Sequence, residues 1–194
     1  MFFLTEPNEP DIKRFLARQK DLPFTYTSVG ATDNTPPRDF TIDHNRILLG
    51  RGDVIFRRAI EALKAWKQFD LGWVSIVPAG VKLDVGAIVA VKARAFGFWS
   101  LSAARVIYLI EEGQRFGFAY GTLPDHVETG EERFTIEWDT ETNEVWYDIL
   151  AFSKPRHPLV RLTFPLARNL QKQFAQDSKR RMVELATLDS MSPR

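Results

Sequence analysis

Residues 155–186, PRHPLVRLTFPLARNLQKQFAQDSKRRMVELA, are the one long helical pattern that follows an unbroken run of strand-like segments. At about 100° per residue, Leu159, Leu162, Leu166, Leu170 and Phe174 share one face of a helix. Arg161, Arg168, Lys172 and Lys179 gather on the opposite face. A helix so divided needs a partner surface for its apolar stripe, because short helices gain most of their stability from packing. Pro165 lacks a backbone donor and clashes with the carbonyl four residues earlier, so the stretch splits into a lead-in, 158–164, and a main helix, 165–186.

The segments before it supply the partner. Residues 72–77, 87–95, 103–111, 115–123, 133–139 and 145–152 read as strands, joined by short links such as Glu112-Gly113 and Thr142-Asn143. Links this short imply antiparallel neighbours, since parallel pairs need long crossovers. Phe116, Phe118, Tyr120 and Thr122 alternate with Arg115, Gly117, Ala119 and Gly121; Phe134, Ile136 and Trp138 alternate with Arg133, Thr135 and Glu137. One sheet face is therefore buried and the other wet. Upstream, residues 9–21 read as a helix, 24–29 and 40–49 as strands, and 53–66 as a second helix. The expectation is a single α+β domain over residues 1–194, a curved antiparallel sheet of about seven strands around a long C-terminal helix. Residues 1–22 would form an N-terminal helical extension and 187–194 a disordered tail. A twisted sheet of this size curls, and where the curl outruns its side chains a cavity opens beneath the helix.

Composition narrows the chemistry. The 194 residues contain no cysteine, which excludes disulfides, thiol nucleophiles and thiolate metal sites. Net charge is +1, giving no overall attraction to nucleic acid or acidic membranes. The helix cations have no aromatic partners on their own face, so nucleic acid is not an expected ligand. No apolar run is long enough to span a bilayer, and Met1–Leu4 is too short for a signal peptide, so the expected location is cytoplasmic. The three histidines, His44, His126 and His157, form no zinc motif, and neither a metal nor a cofactor is expected. Eleven acidic and two basic residues lie between 111 and 148, against eight basic and one acidic between 154 and 181. The helix cations could face acidic loops or water.

At residues 120–134, YGTLPDHVETGEERF, the sequence resembles a family of bacteria and plants termed domain of unknown function 1990 (UPF0548-like). Phe24-Thr25-Tyr26, Val29-Gly30-Ala31-Thr32, the stretch from Leu48 through Trp66, Phe69 and Trp73, and VWYDILAFSKP at 145–155 extend the resemblance over roughly residues 15–185. It implies a relation to START-like or Bet v 1-like helix-grip proteins, whose sheet grips the C-terminal helix around an apolar cavity. The family has no established activity, so its motif residues arrive without roles, and the fold alone does not decide one.

The first reading is a non-enzymatic or weakly enzymatic protein that binds a hydrophobic small molecule, lipid-like or aromatic, between sheet and helix. Phe116, Phe118, Tyr120, Phe152, Leu162, Leu166, Leu170 and Phe174 would line the site, with Tyr26, Tyr120 and Thr122 orienting the ligand. Two alternatives stay open. One is an enzyme using the loop 125–132, where Asp125, His126, Glu128, Glu131 and Glu132 cluster, with His126, Glu128 and Glu131 as acid/base candidates. The other is an interaction module using the basic face of the helix. Phe152 and Leu162 mark a candidate entrance beside the kink at Pro165.

Overall fold

The computed structural model describes residues 1–156 and 164–188. In chain order these form β1 (Phe2–Phe3), α1 (Glu9–Gln19), β2 (Thr41–Arg51), α2 (Asp53–Lys64), β3 (Val74–Val77), β4 (Ile88–Ala95), β5 (Phe98–Glu112), β6 (Arg115–Thr122), β7 (Glu128–Asp139), β8 (Glu144–Pro155) and α3 (Phe164–Thr187), with short 3-10 turns at Ala31–Asp33 and Lys67–Phe69. The antiparallel sheet runs β2-β8-β7-β6-β5-β4-β3. Strands β3 to β8 are the expected meander, and β2 returns to close its far edge. Where β6 ends, β1 takes over the free edge of β5, pairing Phe2 with Ser100 and Phe3 with Trp99. Register shifts in β2 near Leu48 and in β5 near Val106 insert extra residues that bend those strands. The sheet accordingly curls into a half-barrel.

Its two faces are covered differently. On the convex face, α1 starts at a capping box in which Asn8 Oδ1 accepts from Asp11 N and Asn8 N donates to Asp11. Its Ile12 and Phe15 seal a patch of Val77, Ala90, Leu101, Ala103 and Leu123. Residues 1–22 thus lie against the sheet. The concave face is filled at one end by α2 and the turn after it. Phe56, Ala59, Leu63, Trp66 and Phe69 pack there against Phe116, Phe118, Phe134, Ile136, Val145 and Tyr147. Trp66 meets Phe118 edge-on at 4.7 Å and Phe69 meets Phe134 at 5.5 Å.

Helix α3 crosses the remaining concave surface, rotated from the expected orientation. Its most buried residues are Ala175, Ser178, Met182 and Ala186, not the leucine stripe. Phe174 still reaches the core, 5.0 Å from Phe69, but Leu166 is 41% exposed. The reason is positional: the C-terminal half of α3 packs on α2, where small side chains allow close approach, while its N-terminal half spans unfilled space. Tyr147 Oη and Ser178 Oγ, 2.9 Å apart, and Trp73 Nε1 donating to Asp177 at 3.0 Å fix that rotation. The basic stripe turns towards β2, where Arg168 grips Asp43 with two bonds of 2.5 and 2.7 Å and Lys179 approaches Asn45. Pro165 is the second residue of α3, in the first turn where a missing donor costs nothing. The expected lead-in at 158–164 falls, apart from the backbone of Phe164, outside the described residues. Leu162 and the expected tail from 189 also lie outside them.

Two further differences matter for the site. Residues 24–29 form no strand; they cross the end of β6 as irregular chain, held by Thr25 N to Thr122 O at 3.1 Å. Residues 128–132 are not loop but the first turn of alternation in β7. Glu128, Gly130 and Glu132 therefore fall on the same face as Phe134 and Ile136, and Glu131 on the opposite one.

Candidate functional site

A cavity of about 860 Å³ lies between the N-terminal half of α3 and the unfilled end of the concave face. Its walls are mostly apolar, with Phe69 and Trp73 from the turn after α2, Val91 and Ala93 from β4, Ile149 and Ala151 from β8, and Leu170 and Phe174 from α3. The volume suits a small-molecule site. Small residues on β4 and β8 leave the space open, and Phe69 with Phe174 marks the boundary with the solid core. Phe2, Phe96, Phe98 and Leu166 border it while remaining exposed, so one rim is apolar.

The cavity has one polar pole. Tyr120 Oη donates to Glu132 Oε2 at 2.6 Å. Gln171 Nε2 donates to both oxygens of Glu128, at 2.6 and 2.7 Å. Burial pushes the Glu132 carboxyl up to about 7; the bond from Tyr120 opposes this, and the negative charges of Glu128 and Asp43 add to it. Burial likewise raises Glu128, with Gln171, Ser153 and Arg168 acting against the shift. Glu132 keeps some accessible surface although its carboxyl is enclosed, because that surface faces the cavity. His126 is pushed down to about 4 by burial. Its Nδ1 accepts from Glu128 N at 3.1 Å, which places the proton of the neutral ring on Nε2. Among the described residues no group of three or more His, Cys, Asp or Glu side chains could hold a metal ion.

The sequence candidates separate in three dimensions. Tyr120, Thr122, His126, Glu128, Leu166, Leu170 and Phe174 all border the cavity. Phe116 and Phe118 do not: they share the face of Tyr120 but lie under α2, in the solid core. Tyr26 also lies away from the cavity, because its hydroxyl donates to Glu131 at 2.8 Å. Phe152 touches the cavity boundary while its ring packs edge-on against Tyr26 and Phe40, at 5.5 and 5.2 Å. Glu131 also touches the boundary, yet the residue is only 3% exposed and its carboxylate is fully engaged elsewhere. Oε2 accepts from Tyr26 Oη and from Gly30 N at 2.7 Å; Oε1 accepts from Thr32 N at 2.9 Å and from the Thr32 hydroxyl. An acid whose lone pairs are all taken has no capacity left for a substrate, so Glu131 is an anchor for residues 26–32.

Neighbouring bonds complete that anchor. Thr25 Oγ1 lies 2.5 Å from Thr122 Oγ1 and 2.8 Å from Thr129 Oγ1. A Cβ at Gly121 would run into the Tyr26 hydroxyl, and Gly130, at φ 150°, lets the Phe152 carbonyl approach. The two sequence blocks, 24–32 and 120–134, are thus halves of one lock beside the cavity. Glu132 was named in the 125–132 cluster but not among its acid/base candidates. The alternation Phe134, Ile136, Trp138, carried back one step, places it on the inward face.

The sequence pattern described as "Domain of unknown function (DUF1990)" matches residues 25–181. A UPF0548 protein of Dictyostelium discoideum is 36% identical over 205 residues, covering 95% of each chain. The chain belongs to this family. Within the family's matched span fall every residue of the lock except Phe24 and all of the cavity's polar pole. Solved structures agree on the architecture. The Helicobacter pylori hypothetical protein jhp0584 superposes with a TM-score of 0.59 at 11% identity, over 84% of this chain and 96% of its own. A Thalictrum norcoclaurine synthase point mutant, solved in complex with a transition-state analogue, gives 0.50 at 16% identity, over 79% of this chain and 97% of its own. The fold is the helix-grip fold of Bet v 1-like proteins, with the sheet curled against the C-terminal helix. No described helix is long and apolar enough to cross a membrane.

Proposed function

We propose that this family member binds a hydrophobic small molecule in the cavity between the curled sheet and α3. The observation that carries the reading is the cavity itself, about 860 Å³ of mainly apolar wall in a protein whose remaining concave face is tightly filled. A void of that size would forfeit dispersion contacts along its whole lining unless something occupies it. The exposed rim of Phe96, Phe98 and Leu166 gives an apolar ligand a surface to meet first. A protein of the same fold solved with a transition-state analogue supports the reading at the level of the fold only.

Native mass spectrometry of protein purified from its own host tests this, together with titration of the neutral apolar dye N-phenyl-1-naphthylamine. Saturable dye fluorescence is expected, and its loss in Ala93→Phe, whose added ring would enter the cavity. A folded protein that carries no small molecule and gives no saturable signal would sink the proposal.

A second reading has its own support. His126, Glu128 and Glu132 border the same cavity, and a carboxyl titrating near neutrality is suited to proton transfer. It requires chemical conversion of the bound molecule, visible as a mass change that Glu132→Gln abolishes. A co-purified molecule recovered unchanged after prolonged incubation with the protein argues for binding alone. The interaction-module reading loses support, because Arg168 and Lys179 face β2 of their own chain.

A further inference from the structure

We infer that the ligand of this cavity carries a protonated amine on an apolar body, with Glu132 as its counterion. The inference rests on the cavity reading above and deepens it to a ligand class. Its starting point is the coordination of one carboxyl. Glu132 stands on the inward face of β7, and Oε2 accepts from Tyr120 Oη at 2.6 Å. Oε1 accepts no hydrogen bond from any described residue, and Glu132 is one of the residues that border the cavity. An ionised carboxylate has about four acceptor positions, so most of this one's capacity is left for a molecule in that space.

Among the described residues no cation supplies the missing partner. Arg168 commits both terminal nitrogens to Asp43, and one of them also reaches Gln171. Lys179 is directed to Asn45 and Lys154 to Asp39. Glu132 is faced by Tyr120 from β6, Tyr147 from β8, Glu128 from its own strand and Asp43 from β2; Arg168 of α3 stands behind Asp43. The charged neighbours that bear directly on it are both negative. Lys172 of α3 borders the cavity without entering that set.

The ligand's chemistry follows by elimination. A carboxylate or phosphate placed at this pole would add a third negative charge beside Glu132 and Glu128. A neutral alcohol could satisfy the free oxygen but would leave the buried charge uncompensated. An ammonium group supplies both a donor and the opposite charge, and charge-assisted hydrogen bonds are about twice as strong as neutral ones. Phe69, Trp73, Ile149 and Phe174 then bury the apolar remainder, and the two aromatic rings nearest the core tolerate a neighbouring cation.

Decylamine, decan-1-ol and decanoate share one chain length and differ only in the head group. Each is competed against N-phenyl-1-naphthylamine at about pH 8, below its aggregation concentration. Decylamine is expected to displace the dye at concentrations about tenfold or more below decan-1-ol, with decanoate weakest. Glu132→Gln should remove the amine preference and leave decan-1-ol within about twofold of the wild type. Tyr120→Phe, which removes the donor that favours the ionised carboxyl, should diminish the preference at about pH 8 and regain it at higher pH. Lowering the pH through the titration of Glu132 should diminish it. Equal displacement by amine and alcohol, or an amine preference that survives Glu132→Gln, overturns the inference and leaves the cavity reading standing. A dye that none of the three displaces, or that does not bind, overturns both.

Discussion

Glu131→Gln separates an anchoring role from a chemical one. In the native protein each carboxylate oxygen takes one backbone N–H and one hydroxyl: Gly30 N and Tyr26 on Oε2, Thr32 N and the Thr32 hydroxyl on Oε1. Glutamine keeps the shape but converts one oxygen into a donor. Whichever end that donor occupies, it faces a backbone N–H that cannot turn away, whereas the hydroxyl beside it can rotate. One hydrogen bond to a charged acceptor is lost, at about 1.5–3 kcal/mol, and a buried N–H is left unpaired, at about 1–3 kcal/mol. Together these come to roughly 2.5–6 kcal/mol. At about 2–4 °C per kcal/mol for a domain of this size, Tm should fall by roughly 5–24 °C. Differential scanning calorimetry at neutral pH measures it, and faster amide exchange at Gly30 and Thr32 should accompany the drop. Tyr26→Phe removes only one of the four donors and should fall less. A Glu131→Gln protein melting within about 2 °C of the wild type, with dye binding altered instead, would refute the anchoring argument.

Glu132 should leave a mark on stability against pH. Its folded-state value of about 7 lies above the ordinary 4.5, so the folded protein holds that proton more tightly than the unfolded chain. The corresponding stability is complete below 4.5 and is lost as pH rises through about 7. Ligand-free Glu132→Gln should therefore be more stable than the wild type at about pH 8, the difference fading towards acid; denaturant titrations at both ends check this, and a parallel pH profile for the two proteins would contradict it. Truncation distinguishes core from cavity wall. Phe118→Ala should cost about 3–5 kcal/mol, because the ring is fully buried against Trp66 and Phe134, whereas Leu166→Ala at the exposed rim should cost less than about 1 kcal/mol and weaken dye binding instead. Equal losses would show that the division between core and cavity is misplaced.

Much of the architecture was legible in the chain because it follows from local periodicity. Alternation in 115–122 and 133–139 identified the sheet face that packs on the helices, and short links identified antiparallel neighbours; the opposite face, expected to be wet, is buried too, with Ala119 and Thr135 both 0% exposed. Helical spacing located α3 to within a residue or two at each end. The irregular course of 24–29 was not legible, since Thr and Tyr there favour strands when read alone. Their side chains instead bond to residues about a hundred positions away, Thr122, Thr129 and Glu131. Nor was the rotation of α3: a leucine stripe marks the apolar side of an isolated helix, whereas here the small residues Ala175 and Ser178 are buried and Leu166 is exposed.

The division of the candidate residues shows where local pattern stops. Phe118 and Tyr120 stand two residues apart on one face of one strand, yet the first is solid core under Trp66 and the second borders the cavity. Glu131 and Glu132 are adjacent, yet one is saturated by residues 26–32 and the other borders the cavity with one oxygen bonded to no described residue. The sequence by itself determined where strands and helices run and which side of β6 and β7 carries the large apolar side chains, because period-two and period-3.6 patterns are properties of neighbouring residues. Only the tertiary structure decided what covers each buried face. That depends on where α2 ends and how far α3 stands from a curled sheet, distances set jointly by residues remote in the chain.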